Sequence, residues 1–101
     1  MADNNIGQIA NSSIVAATKS QISSNAGNET IVLELQKGNY YGLDETSARV
    51  WELVQEPICV EDIKHKILTE YEVSPEQCEQ DLHQLLKKFL ELGLIQLNES
   101  V

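Results

Sequence analysis

A chain of 101 residues, 42% of them hydrophobic, holds one modest core but not a core plus a deep substrate cavity. Seven Lys and Arg stand against 16 Asp and Glu, for a net charge of −9. That sign argues against non-specific nucleic-acid binding, which is driven by phosphate neutralisation, and an anionic membrane surface would repel such a chain.

No long apolar run and no Lys/Arg-led signal segment is present, and the opening Met-Ala-Asp-Asn-Asn-Ile-Gly-Gln is polar. A cytoplasmic residence is the expectation. The two cysteines, Cys59 and Cys78, are too few for a disulfide framework and stay reduced in such a compartment.

Residues 1–12 lack hydrophobic periodicity, which predicts a flexible N-terminal arm. Residues 13–18 (Ser-Ile-Val-Ala-Ala-Thr) are small, β-branched and apolar, and predict a first strand. A run of turn formers, residues 23–28, breaks the chain. Residues 30–35 then alternate, with Ile31, Leu33 and Leu35 on one face and Val32 and Glu34 on the other. A tight turn at Gln36-Lys37-Gly38 leads to a third strand over residues 39–43, with Tyr41 and Leu43 opposite Tyr40. Three strands joined by short turns predict an antiparallel meander.

From Asp44 the period changes from two to 3.6. Asp44 can cap a helix on which Ser47, Val50, Trp51 and Val54 share one face, with Pro57 ending it. Val60, Ile63, Ile67 and Tyr71 stripe a second helix, with Cys59 where a hydroxyl or carboxamide cap is usual. The third helix opens on Ser74-Pro75-Glu76-Gln77, a capping box in which Gln77 reaches back to the cap, and closes at Gly93. Its apolar arc, Cys78, Leu82, Leu85, Leu86, Phe89, Leu90 and Leu92, is broader than one contact seam requires. The pattern as a whole predicts an α+β, winged-helix-like fold, a three-stranded antiparallel sheet followed by three helices.

Chemistry finds little support. Cys59, His65, Cys78 and His83 are the right residue types for zinc, but their spacing matches no paired-ligand pattern. Cys59 near a helix start lacks any visible base or oxyanion-stabilising partner. No catalytic residue, metal or cofactor is expected. A winged-helix DNA-binding regulator is the alternative from fold class, but the third helix sets Lys87 and Lys88 against Glu76, Glu79, Asp81 and Glu91. Peptide capture by strand addition remains, because the third strand of a meander lies at a sheet edge with unpaired backbone groups. A second copy of the chain can pair along such an edge too, which leaves a homodimer open.

The run Gly38-Asn39-Tyr40-Tyr41-Gly42-Leu43-Asp44, followed by Ala48-Arg49-Val50-Trp51-Glu52-Leu53, resembles the PqqD-like family. Val60-Glu61-Asp62-Ile63, Tyr71-x-Val73, Asp81-Leu82 and Leu92-Gly93-Leu94-Ile95 follow in the family's order. The resemblance covers residues 13–97 and implies one non-enzymatic recognition domain that binds the leader of a ribosomally made precursor peptide. The leader is then an added antiparallel strand beside the third helix, contacted by Asn39, Tyr40, Tyr41 and Gly42 and by Leu82, Leu85, Leu86 and Phe89. The implied enzyme partner is a leader peptidase, as for stand-alone lasso-peptide proteins, or a radical-SAM enzyme in pyrroloquinoline quinone or related synthesis. Asp44 departs from the asparagine more usual in the quinone proteins, and Cys59 from the usual Thr or Ser cap.

Overall fold

The computed structural model describes residues 9–19, 21–26 and 29–98. In chain order its elements are β1 (Ile14–Ala17), β2 (Gln21–Ala26), β3 (Glu29–Glu34), β4 (Asn39–Leu43), α1 (Glu45–Leu53), β5 (Ile58–Cys59), α2 (Val60–Glu70), α3 (Pro75–Glu91) and β6 (Ile95–Leu97). The expected mixture of antiparallel sheet and three helices is present. The strands divide into two three-stranded sheets, ordered β5-β1-β6 and β2-β3-β4.

The predicted meander holds for its last two members only. The apolar strand β1 is the centre of the other sheet, paired antiparallel with β5 and β6. Its place beside β3 is taken by β2, Gln-Ile-Ser-Ser-Asn-Ala, part of which reads as a turn in sequence. Six consecutive pairs, Gln21↔Glu34 to Ala26↔Glu29, hold β2 in register. Cross-strand pairing overrides local propensity here, and an outer strand tolerates polar residues. Gly27 and Asn28, from the predicted turn, lie outside the described residues, as do residues 1–8 of the predicted arm.

Ile9 packs against the core, and the Asn11 carbonyl accepts from Glu61 N at 3.0 Å and from the Cys59 thiol at 3.2 Å. Cys59 is the N-cap residue of α2 but makes no side-chain bond to that helix. Its thiol is spent on the incoming chain instead.

In the β2-β3-β4 sheet the buried face is the one carrying Val32, although the opposite face of β3 is the more apolar. Val32 is fully buried and Leu43 nearly so, with Tyr41 half-buried against the core. Glu34 shares that face and is 5% exposed. Its carboxylate accepts from Gln36 N and Lys37 N, each at 2.9 Å, while Gly38 N donates to the Glu34 carbonyl at 2.8 Å. Gly38 closes this turn at φ 76°, in the region that favours glycine. A buried carboxylate therefore organises the turn that delivers β4.

Helices α2 and α3 begin and end where sequence places them, whereas α1 stops at Leu53, with Val54 as its C-cap, short of Pro57. Asp44 Oδ1 accepts from Ser47 N at 2.9 Å, and Ser74 Oγ accepts from Gln77 N at 3.1 Å. The capping box is only half made, because the Gln77 amide donates to Asp81 Oδ1 at 2.9 Å rather than returning to the cap. At the far end Gly93 (φ 78°) turns the chain, with Leu94 N donating to Phe89 O and Gly93 N to Leu90 O. This Schellman pattern satisfies the last carbonyls and sends Leu94 inward to full burial.

Between the sheets and helices lies one core, with Val50, Trp51, Val54, Ile63, Leu86 and Phe89 among its members. Trp51 meets Phe89 edge to face, centroids 5.6 Å apart at 77°. Each side chain of this size contributes about 1.5–3 kcal/mol through burial.

Candidate functional site

Because β3 lies between β2 and β4, strand β4 is an edge: one side pairs with β3, and no described strand takes the other. An edge of this kind carries backbone donors and acceptors free to pair with an extended peptide. Tyr41 and Leu43 point inward and pack, whereas Tyr40 is 72% exposed. Cross-strand register sets Tyr40 opposite Leu33, and Leu33 opposite Ile22, which is 57% exposed. Tyr40 thus stands on the outer face of the sheet, away from the core side. Of the predicted strand contacts Tyr40 faces outward, while Tyr41 lies on the core side with the predicted helix contacts.

The predicted helix contacts also separate. Leu86 is fully buried and Phe89 is 2% exposed, so both belong to the core that backs the site. Leu82 and Leu85 reach a cleft of about 670 Å³ that begins where β4 ends. Asp44, Ser47 and Val50 line it from the start of α1, and Tyr71, Glu72 and Val73 from the turn after α2. From α3 come Cys78, Asp81, Leu82, Leu85 and Lys88. The floor is apolar and the rim is charged. Asn39, Tyr40, Tyr41 and Gly42 do not line it; they form the edge that leads to it.

Sequence reasoning missed the part of the cleft made by Asp44, Tyr71, Glu72, Val73 and Asp81. Its signal was Tyr71-x-Val73, two apolar residues in a connection between helices, where a solvated turn has no need of them.

Two ion pairs fix the helices around the cleft. Arg49 of α1 donates from Nε and Nη2 to the two Glu70 oxygens, both at 2.8 Å, and from Nη1 to Glu52 at 3.1 Å. Its hydrogen bonds with Glu70 raise the Arg49 pKa and hold the Glu70 carboxyl below its ordinary range. Lys64 of α2 meets Glu79 of α3 at 2.9 Å, which lowers the Glu79 carboxyl in the same way. The Tyr71 phenol is pushed up, first by burial and then by the negative charge of Glu45 and Glu70.

Of the residues considered for metal or thiol chemistry, Cys59 and His83 each bond to Asn11. Burial pushes the Cys78 thiol up, away from a reactive thiolate. His83 Nε2 lies 2.8 Å from Asn11 Oδ1, and exposed His65 lies 3.6 Å from Glu61. Among the described residues no group of three or more His, Cys, Asp or Glu is placed to hold a metal ion. Among them, too, no helix is long and apolar enough to cross a membrane.

A free strand edge running into an apolar, charged-rimmed cleft is the kind of surface to which an extended segment can add as a further strand. Residues 29–95 match the family described as coenzyme PQQ synthesis protein D (PqqD), and the chain belongs to that family. Among solved structures it is similar to TbiB1 in complex with the TbiA(beta) leader peptide. That similarity has 30% identity and a TM-score of 0.74, covering 85% of this chain and 98% of the other. Lasso peptide synthetase B1 complexed with the leader peptide shares the fold, at 20% identity and a TM-score of 0.73, over 81% of this chain and 96% of that one. No curated protein is matched by the chain.

Proposed function

We propose that this chain is a non-catalytic cytoplasmic adaptor in lasso-peptide biosynthesis. It takes up the leader of a ribosomally made precursor as an added antiparallel strand on β4 and presents it to a leader peptidase. The observation that carries this reading is the unpaired β4 edge ending at the cleft, on a fold 30% identical to one whose structure holds a leader peptide. Backbone groups of Asn39, Tyr40, Tyr41 and Gly42 supply register, Tyr40 covers the outer side of the guest, and Leu82 and Leu85 receive its inward side chains. Leu86 and Phe89 act from behind by holding α3 in place. Binding leader and enzyme on one small domain raises the local concentration of each for the other.

The family description keeps a second reading in view, in which the same capture serves a radical-SAM enzyme in quinone synthesis. The two differ in the enzyme that co-purifies with the leader-bound adaptor.

Fluorescence anisotropy with the labelled leader of the precursor encoded beside this chain's gene tests the reading. Saturable one-to-one binding is expected. Tyr40→Ala should weaken it about two- to fivefold, the worth of a cross-strand contact, with unfolding unchanged because the ring is exposed. Absence of saturable binding by folded protein overturns the adaptor reading.

A further inference from the structure

The cleft beyond β4 has a polarity that the strand edge alone does not. Strand β4 runs from Asn39 to Leu43 and passes through Asp44 into α1. A peptide added antiparallel therefore runs the other way, with its first paired residue near Leu43 and its last near Asn39. The residues that precede the paired stretch must leave the sheet over Asp44, at the mouth of the cleft. Whatever enters the cleft comes from the N-terminal side of the guest's strand.

The walls say what fits there. Val50, Tyr71, Val73, Leu82 and Leu85 offer apolar surface, and at about 670 Å³ the space exceeds one side chain. On the rim, three carboxylates (Asp44, Glu72 and Asp81) stand against one ammonium, Lys88. Asp44 is partly engaged as the α1 cap and Asp81 by Gln77, whereas Glu72 is exposed.

Resting on the adaptor reading, we infer that this cleft selects the stretch of guest immediately N-terminal to the paired strand, taking an apolar side chain flanked by lysine or arginine. The apolar floor supplies burial, and the acidic rim rewards the adjoining positive charge and repels an acidic one. The strand edge, which reads backbone, cannot make that distinction.

The test uses the full chain, the labelled leader, and a second leader in which the Lys and Arg preceding the paired stretch are replaced by Gln. Glu72→Gln with Asp81→Asn should weaken binding of the unaltered leader about fivefold at low ionic strength, as for two exposed charge pairs. The loss should shrink in high salt. The Gln-substituted leader should bind the unaltered chain about fivefold more weakly as well, and the double variant should cost it nothing further. Glu56→Gln, outside the cleft, is the charge control and should bind as the unaltered chain does. Unchanged binding by the double variant overturns the inference, as does a loss that persists with the Gln-substituted leader or in high salt. A leader with no basic residue in that stretch, yet bound tightly, overturns it too. In each of these cases the adaptor reading stands, whereas no saturable binding by the unaltered chain removes both.

Discussion

In the β5-β1-β6 sheet, Val15, Ala16 and Ile95 are at most 6% exposed, whereas in the β2-β3-β4 sheet Ile22 and Tyr40 are 57% and 72% exposed. The first sheet is built from scraps, with strands of four, two and three residues, yet it is tied in on every side. Ala17 N donates to Val54 O at 2.7 Å, and Thr18 caps the end of α3 through a hydroxyl bond to Gly93 O at 2.8 Å. The second sheet has longer strands and better register, but one face is largely exposed and, among the described residues, no strand pairs beyond β2 or β4. Strand length thus does not report which sheet supports the fold. Covering elements do, and the sheet with fewer of them is the one free to take a guest.

That contrast can be broken most directly by truncation. Ile95→Ala, in the small sheet, should cost about 2–5 kcal/mol, while Ile22→Ala in the large one should cost less than about 0.5 kcal/mol. Urea unfolding monitored by circular dichroism measures both, and equal losses would erase the distinction. Glu34→Ala should come next, at about 1–3 kcal/mol, because two turn amides on the way to β4 lose their buried acceptor. Native-state hydrogen exchange should locate that loss in β3 and β4 rather than in β1. The smallest effect lies outside both sheets. Glu70 and Glu79 titrate below their ordinary range when folded, so the stability they lend is complete above the unfolded value of about 4.3 and fades as pH falls through the lower folded values. Thermal melting between pH 7 and 3 should show this decline, and Arg49→Met should flatten the part that belongs to Glu70.

The helices were legible because their ends carry specific chemistry: Asp44 and Ser74 cap, Pro75 opens and Gly93 closes. The small sheet was not. Strands β5 and β6 are too short to show a period of two, and β1 looks like a partner for β3 until its neighbours are known. Strand β2 was hidden by Ser-Ser-Asn, residues that favour turns unless six pairs with β3 hold them straight. At the candidate site, alternation along Tyr40, Tyr41 and Leu43 predicted their two faces correctly. The broad apolar arc of α3 could not reveal that Leu86 and Phe89 face the core while Leu85 lines the cleft. That division depends on where Trp51 stands. Glu34 gave no sign of its role, since a carboxylate that folds back on its own turn looks in sequence like any solvent-facing acid.

The pairing of β1 with β6 sets Val15 beside Leu97 and Ala17 beside Ile95, so the chain enters and leaves the domain along adjacent antiparallel strands. Both lie in the sheet that does not contain β4. Such a domain is a cassette: it can be spliced into a loop of a larger polypeptide, or carried at either end of one, with little rearrangement of the host. One architecture can therefore serve as a free-standing subunit or as a built-in module, and the choice costs the fold almost nothing.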